Sequence, residues 1–217
     1  FDVRVSPRGW QARARDTDIL VALNPNTWPT DVRGVRSGGV VVHEQAYVRT
    51  GPADRDDLTY YAVPFARLAK ERIANADLRK YLTNMLYVGV VAWLLDIDMR
   101  AIEDALQSQF RSKPKAVATN MDAITTGYDW ALENLVKSDR YRVKPIPGGT
   151  DGLVLLEGNQ AAALGCIQGG CTVAAWYPIT PSSSLCEYLN AYADRFRIDP
   201  ETGARRIAVV QAEDELS

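Results

Sequence analysis

The sequence predicts an α/β protein made of two successive units. Short apolar runs bounded by glycine, proline and asparagine indicate buried strands, and longer segments with apolar residues every three or four positions indicate helices. Residues 142–152, which contain two prolines and three glycines, interrupt every periodic pattern and are typical of a linker. Strand and helix patterns alternate after this segment, which favours a parallel sheet in the second unit.

Composition excludes several classes of protein. The 217 residues are 47% hydrophobic and 24% charged with a net charge of -2, which is ordinary for a globular protein and gives no basic field for nucleic acid. The most apolar window, residues 81–95, is too short to span a bilayer, so no membrane anchor is expected. The cysteines lack metal and disulfide spacings, which favours a reducing, cytoplasmic setting. They are Cys166, Cys171 and Cys186.

The first unit is predicted to span residues 1–141 and to begin with three strands. The strand runs are "DILVALN" at 18–24, "GGVVVHE" at 38–44 and "LTYYAVPF" at 58–65. His43 stands alone beside a valine run, so we expect a surface histidine or one with its hydrogen bonds satisfied at a strand end, rather than a base or a ligand.

Helices follow these strands. They are predicted over about 77–95, over about 98–110 with Asp98 as the cap, and over 115–137. The last helix has an apolar stripe with a spacing of three or four residues. The stripe consists of Val117, Met121, Ile124, Tyr128, Leu132 and Leu135.

The second unit, residues 153–217, is predicted to open as a βαβ unit. Its predicted elements are a strand "LVLLE", a Gly-Asn turn, a helix "QAAALGCIQ", a strand "TVAAW" and a later strand from about Ile207 to Val210. A βαβ unit implies a right-handed crossover, and its loops meet at the carboxyl ends of the strands. The Gly-Asn turn lacks the spacing of a dinucleotide or P-loop fingerprint, so we interpret it as a plain connection.

The segment "ITPSSS" has two interpretations. Thr180 can cap a helix that has Pro181 at its first position. Alternatively, the N–H groups around Ser182 and Ser183, together with the Thr180 hydroxyl, can bind a carboxylate or a phosphate. The position of this segment after a strand favours the second interpretation, because α/β sheets bind ligands there.

An acidic run follows the last predicted strand. Glu213, Asp214 and Glu215 either form a solvated loop or include one desolvated carboxylate that has a raised pKa and shares a proton with a ligand nitrogen. The chain begins within a strand-like alternation without methionine and ends directly after this run. We therefore expect a fragment of a longer polypeptide, with the start of the first unit missing and the second unit truncated.

The combination of motifs is familiar. The string "GNQAAALGCIQGGCTVAAWYPITPSSSLCEYL" followed by "VVQAEDELS" resembles the α subunit of the 2-oxoacid:ferredoxin oxidoreductases, which include the pyruvate and 2-oxoglutarate enzymes. The earlier strings "DILVALNP", "GGVVVHE", "VPF" and "ATNMDAITTGYDWA" are similar to the γ domain of that family, fused N-terminally as in the 2-oxoglutarate type. The chain departs from the family in lacking the Gly-rich opening of the γ domain and the region of the substrate-binding arginine.

The resemblance implies a γ-type α/β domain followed by the start of a parallel-sheet domain that binds the pyrimidine half of thiamine diphosphate. The implied reaction is CoA-dependent oxidative decarboxylation of a 2-oxoacid, with 2-oxoglutarate favoured, to acyl-CoA and CO2 with electrons passing to ferredoxin. A separate β subunit would hold the diphosphate, Mg²⁺ and a 4Fe-4S cluster in an (αβ)2 assembly, and no metal ligand is expected in this chain.

The resemblance also implies roles for individual residues. Glu215 matches the glutamate that activates the cofactor, and Glu213 is the less favoured register. Thr180 matches the threonine that binds the 2-oxoacid, with Ser182 and Ser183 beside it. Pro178 would line the cofactor.

Two alternatives stay open. The second unit could be the pyrimidine-binding half of another thiamine diphosphate enzyme, which a ferredoxin-like electron acceptor in an activity assay would distinguish. The chain could also be a noncatalytic scaffold or a nucleotide-binding subunit, in which case the acidic run would be exposed with no cofactor nearby.

Overall fold

The computed structural model describes residues 2–10, 12–73 and 75–217, and the chain divides into two compact units, Phe1–Pro147 and Gly148–Ser217. Both units combine helices with parallel strands, which confirms the predicted α/β fold class. Within the described ranges, no helix is long and apolar enough to cross a membrane.

The described part of the first unit contains a three-stranded parallel sheet with β2 in the centre. Its strands are β1 (Thr17–Ala22), β2 (Val35–Glu44) and β3 (Thr59–Val63). Each strand coincides with one of the predicted runs, so these predictions are confirmed. Valine-rich and tyrosine-rich runs suit strands that are covered on both faces.

The described part of the first unit contains five α-helices, and the last three correspond to the predicted helices. They are α1 (Trp28–Asp31), α2 (Phe65–Arg72), α3 (Ala76–Leu95), α4 (Met99–Phe110) and α5 (Pro114–Asn134). The Asp98 carboxylate accepts a hydrogen bond from the Arg100 N–H at 2.9 Å, which confirms the predicted cap of α4. Asn75 caps α3 in the same way, accepting from the N–H groups of Asp77 and Leu78.

The central strand separates two apolar clusters. Val40 and Val42 pack on one side, in a cluster that includes residues of α2, α3 and α5 such as Phe65 and Leu86. Val41 packs on the other side, in a cluster formed by residues near α1 and the ends of the strands. Both faces of the sheet are therefore covered, as is usual for parallel sheets.

Helices α3 and α5 meet at two glycines. A Cβ atom placed on Gly89 would lie 2.0 Å from the Ile124 carbonyl oxygen, and one placed on Gly127 would lie 2.2 Å from the Leu86 carbonyl oxygen. Neither position has room for a side chain, so the two helix backbones are in direct contact.

The predicted apolar stripe of α5 is partly wrong. Leu132 is 60% exposed, and Leu135 lies just beyond the end of the helix. The buried residues of α5 are Ala123, Ile124, Gly127 and Ala131. Ile124 belongs to the predicted stripe and Val117, Met121 and Tyr128 are half-buried, so the stripe indicated the packed side of the helix except at Leu132. Small residues form the closest contact because the approach of α3 leaves no room for a side chain at Gly127.

The second unit contains α6 (Gly158–Gln168), β4 (Val173–Trp176), α7 (Ser183–Phe196) and β5 (Ala208–Gln211). Strands β4 and β5 pair in parallel, and α7 forms the connection between them. The predicted helix and the two later strands are confirmed. Helices α6 and α7 pack on one face of this sheet through a small cluster. The cluster is centred on Ala163, Ile167, Leu189, Ala193 and Ile207.

The strand predicted at "LVLLE" is wrong. Residues 153–157 have no strand structure, and α6 begins directly after them. Leu153, Val154 and Leu155 are 70%, 79% and 100% exposed. A strand needs a neighbouring strand for its N–H and C=O groups, and the described residues provide none at this position. The predicted βαβ unit is therefore formed by β4, α7 and β5 instead.

Candidate active site

Two loops leave the same edge of the second sheet. Strands β4 and β5 end at Trp176 and Gln211, which are register partners. The Ala212 N–H donates to the Trp176 carbonyl oxygen at 2.7 Å, so the pairing continues past the last residue of β5. The threonine- and serine-containing loop after β4 and the acidic loop after β5 therefore start side by side at the carboxyl edge, where α/β sheets bind ligands.

The loop after β4 is organised around the Ile179 carbonyl oxygen. This oxygen accepts hydrogen bonds from the N–H groups of Ser182 and Ser183 at 2.8 and 3.2 Å, and from their hydroxyls at 2.9 and 3.3 Å. The Ser183 hydroxyl oxygen also accepts from the Ile179 N–H at 3.2 Å. The two serines thus hold a compact turn at the start of α7.

This geometry corrects two predictions. Thr180 does not cap α7, which begins at Ser183 after Ser182 in the capping position and has no side-chain cap. The N–H groups of Ser182 and Ser183 are not free for an anion either, because the Ile179 carbonyl oxygen already accepts from both. A carbonyl that satisfies the first N–H groups of a helix removes the need for a side-chain cap.

Thr180 and Pro178 remain accessible at this edge. Both residues are exposed, and the Thr180 hydroxyl has no hydrogen-bond partner within the described residues. A hydroxyl that can both donate and accept is thus presented by a backbone turn that is itself held by hydrogen bonds.

The acidic loop contains one carboxylate that is hydrogen-bonded within the loop and two that have no partner among the described residues. Glu213, Asp214 and Glu215 are all exposed, so the predicted solvated loop is the form that this chain adopts. Asp214 accepts from the Ser217 hydroxyl at 2.8 Å and from the Leu216 N–H at 2.9 Å. These hydrogen bonds lower the pKa of Asp214, and the bond from the Ser217 hydroxyl has the largest effect. In the described part of the chain, the carboxylates of Glu213 and Glu215 bond to nothing.

The start of α6 also reaches this loop, which the sequence did not predict. The Asn159 side-chain amide donates to the Pro181 carbonyl oxygen and to the Ser184 hydroxyl oxygen, both at 2.8 Å. Glu157, just before α6, accepts from the Tyr188 hydroxyl of α7 at 3.3 Å, and its charge is the main reason that the pKa of Tyr188 is raised. The Gly-Asn pair alone could not indicate this contact, because Pro181 is 22 residues away.

The histidine of the first unit is buried. The His43 ring stacks on Trp28 with ring centroids 5.1 Å apart, and its Nδ1 donates to the Glu44 carbonyl oxygen at 2.9 Å. Of the two predicted environments, the histidine at a strand end with its hydrogen bonding satisfied is confirmed, and the surface histidine is wrong. Burial lowers the pKa of His43.

The described residues contain no cluster of thiols and carboxylates that could form a metal site. Cys166 is exposed, Cys171 is half-buried and Cys186 is buried, and all three are free thiols. Among residues 2–10, 12–73 and 75–217, no group of three or more His, Cys, Asp or Glu side chains could hold a metal ion.

The fold and this edge define a class of α/β protein with a ligand site at the carboxyl ends of parallel strands. Residues 1–130 match the family model described as pyruvate ferredoxin/flavodoxin oxidoreductase. Residues 164–217 match the model described as the thiamine diphosphate-binding domain of pyruvate flavodoxin/ferredoxin oxidoreductase. The chain therefore belongs to the pyruvate ferredoxin/flavodoxin oxidoreductase family.

Individual proteins agree with this assignment. The α subunit of 2-oxoacid:ferredoxin oxidoreductase 2 from Aeropyrum pernix is 25% identical over 260 residues, which cover 100% of this chain and 40% of that subunit. Ketoisovalerate oxidoreductase subunit VorA from Methanothermobacter marburgensis is 31% identical over 125 residues, covering 54% of this chain and 24% of that subunit. This chain thus spans well under half of the length of these relatives.

A solved structure has the same fold. It is a 2-oxoglutarate:ferredoxin oxidoreductase from Magnetococcus marinus with 2-oxoglutarate, coenzyme A and succinyl-CoA bound. The TM-score is 0.74 at 27% sequence identity, over 93% of this chain and 33% of that one.

Proposed function

We propose that this chain is part of the α subunit of a 2-oxoacid:ferredoxin oxidoreductase that decarboxylates a 2-oxoacid in a CoA-dependent reaction and passes the electrons to ferredoxin. The observation that carries the proposal is the shared carboxyl edge of β4 and β5. There the exposed Thr180 hydroxyl and the carboxylates of Glu213 and Glu215, which have no partner among the described residues, lie on adjacent loops.

These residues fit one half of thiamine diphosphate. An aminopyrimidine ring presents N–H donors and ring nitrogens that accept, so a carboxyl group can accept from an N–H group when ionised or share a proton with a ring nitrogen. When bound, thiamine diphosphate supplies the carbon nucleophile and the electron sink for decarboxylation. In this proposal Glu215 holds a proton at a pyrimidine nitrogen, and Pro178 lines the ring. Glu213 is the alternative candidate for the role of Glu215, if the match to the family motif is shifted by two residues.

Thr180 is proposed to bind the 2-oxoacid. Its hydroxyl can donate a hydrogen bond to the substrate carboxylate, and a bond to a charged acceptor is stronger than a neutral one. Ser182 and Ser183 were predicted to bind substrate as well. Their hydroxyls donate to the Ile179 carbonyl oxygen, which supports a role in shaping the loop that presents Thr180.

Partners complete the proposed enzyme. A β subunit is proposed to hold the diphosphate, Mg²⁺ and a 4Fe-4S cluster, in an (αβ)2 assembly in the cytoplasm. Among 2-oxoacids, 2-oxoglutarate is the preferred candidate, since the solved relative binds it. The ketoisovalerate enzyme shows that the family also contains other specificities.

The test uses the full-length subunit assembled with its partner, with CoA-dependent reduction of methyl viologen as the assay and 2-oxoglutarate, pyruvate and 2-oxoisovalerate as substrates. Replacement of Thr180 by alanine should lower kcat/KM by about 10- to 100-fold, because a hydrogen bond to a charged group is lost. Thermal stability should not change, because Thr180 caps no helix.

The matched control is Thr180→Ser, which keeps the hydroxyl and should retain most of the activity. Equal activity of the alanine and serine variants would exclude the substrate role of Thr180.

Electron transfer to ferredoxin should distinguish this enzyme from other thiamine diphosphate enzymes. A complex that oxidised no 2-oxoacid would favour a noncatalytic scaffold.

A further inference from the structure

The side chain of Asn159 bridges two elements of the candidate active site. Asn159 lies in the first turn of α6, and its amide nitrogen donates to the Pro181 carbonyl oxygen and to the Ser184 hydroxyl oxygen. Both distances are 2.8 Å, within the normal range for an N–H···O bond. One amide group therefore ties the loop after β4 and the first turn of α7 to a different helix.

The two acceptors place this tie next to Thr180. The Pro181 carbonyl belongs to the residue directly after Thr180, and the Ile179 carbonyl on its other side accepts from Ser182 and Ser183. The backbone is thus held on both sides of Thr180, while the Thr180 hydroxyl itself is free within the described residues. A fixed backbone around a free donor is the arrangement that lowers the entropic cost of binding a substrate.

We propose that Asn159 is a positioning residue for the Thr180 hydroxyl, an inference that rests on the substrate role proposed for Thr180. The role requires an N–H donor at Asn159, because the Pro181 carbonyl can only accept. Aspartate has the same shape but lacks those donors at neutral pH, and its charge would repel the Pro181 carbonyl oxygen.

A second tie between the same helices provides a control. The Tyr188 hydroxyl of α7 donates to Glu157 before α6, at 3.3 Å, and within the described residues it makes no hydrogen bond to Thr180 or its neighbours. If the Asn159 bonds only held α6 against α7, then loss of the Tyr188 bond should have a similar effect. If they position Thr180, the two losses should differ.

The experiment compares kcat and KM for 2-oxoglutarate and pyruvate, with methyl viologen as acceptor, in the full-length subunit assembled with its partner. Asn159→Asp should raise KM about tenfold, since misplacement of one hydrogen-bond donor is a change of this order. Tyr188→Phe should change KM by less than about twofold, because it removes an exposed hydrogen bond that does not involve the loop around Thr180.

A double-mutant cycle makes the role specific. In the Thr180→Ala background, Asn159→Asp should change KM by less than about twofold, since the group that it positions is gone. Full additivity of the two substitutions, or an equal effect of Tyr188→Phe, would overturn the inference.

The cycle also separates this inference from the proposed function. If Thr180→Ala raises KM while Asn159→Asp alone does not, the positioning role is wrong and the substrate role of Thr180 stands. If Thr180→Ala leaves KM unchanged, the substrate role fails and the positioning role fails with it.

Discussion

The sheets of the two units are buried to very different extents. In the first unit, Val40, Val41 and Val42 of the central strand are completely buried, because apolar clusters cover both faces. In the second unit, Val173 and Val210 are 63% and 53% exposed, because helices cover only one face. The stability of the first unit therefore comes from its own core, whereas the second unit contributes the accessible edge on which the proposed chemistry depends.

Polar interactions differ in the same way. In the first unit, the Asp139 side chain is 2% exposed and accepts hydrogen bonds from Lys137 and Tyr61, both at 2.7 Å. In the second unit, the ion pair of Arg205 with Asp194 is largely exposed to solvent, so it contributes little to stability. Substitutions should accordingly affect stability in the first unit and activity at the edge of the second.

The largest effect is expected at the acidic loop of the second unit. Glu215→Gln keeps size and polarity but cannot take up a proton, so exchange of the C2 proton of bound thiamine diphosphate should slow by about 10²- to 10⁴-fold. Thermal unfolding should not change, because Glu215 is exposed. The measurement is proton exchange in the assembled complex.

Glu213→Gln is the matched control for register and should be milder. If Glu213→Gln abolished exchange while Glu215→Gln left it intact, the proposed register would be wrong by two residues. If neither substitution slowed exchange, the role of this loop in cofactor activation would be excluded.

Alanine substitutions of glycine should have opposite signs in the two units. Gly127→Ala should lower the free energy of unfolding by about 3 kcal/mol, because its Cβ would overlap the Leu86 carbonyl oxygen and force α3 and α5 apart. Gly165→Ala in α6 meets nothing within 4 Å and should be stabilising by about 0.5–1 kcal/mol. Urea denaturation of both variants tests this contrast, and equal effects would contradict it.

The smallest predicted effect is a pH dependence of the first unit. His43 is the chain's one histidine, and its burial lowers its pKa in the folded state. The unfolded chain therefore binds a proton more readily, so the free energy of unfolding should fall as pH drops below about 6.5, by at most about 1.4 kcal/mol per pH unit. The decline should stop once the pH is below the pKa of folded His43.

Thermal unfolding between about pH 7.5 and 5.5 would measure this slope. His43→Phe keeps an aromatic ring against Trp28 but cannot be protonated, so its slope should be flatter. A slope unchanged by this substitution would assign the pH dependence to other groups.

Local sequence patterns predicted most elements, because the formation of a helix or strand depends largely on residues that are close in sequence. The run that became β2 is a short valine-rich segment after two glycines, the run that became α3 is a long apolar segment, and Asp98 capped α4 as expected. The run "LVLLE" failed because a short apolar segment becomes a strand only beside another strand. The stripe on α5 failed at Leu132 because glycine and alanine, which carry little periodic signal, form the contact with α3.

The candidate site also has features that the sequence could predict and features that it could not. The order of strand, helix and strand was sufficient to predict that the loops containing Thr180 and Glu215 would leave one edge of a parallel sheet. The free state of the Thr180 hydroxyl was not predictable, because it depends on the Ile179 carbonyl accepting the first N–H groups of α7. Neither was the link from Asn159, which joins residues that are distant in sequence.

By itself, the sequence determined the α/β class, the parallel sheet of the second unit, the bounds of α3, α4, α5 and α6 to within a few residues, and the family resemblance, because periodicity, caps and contiguous motifs are local properties of the chain. The tertiary structure decided which helix faces are buried, which apolar run lacks a strand partner and which polar groups at the edge stay free. These outcomes depend on atoms far apart in sequence competing for the same space and the same hydrogen bonds, as Gly127 does with Leu86 and Asn159 with Pro181.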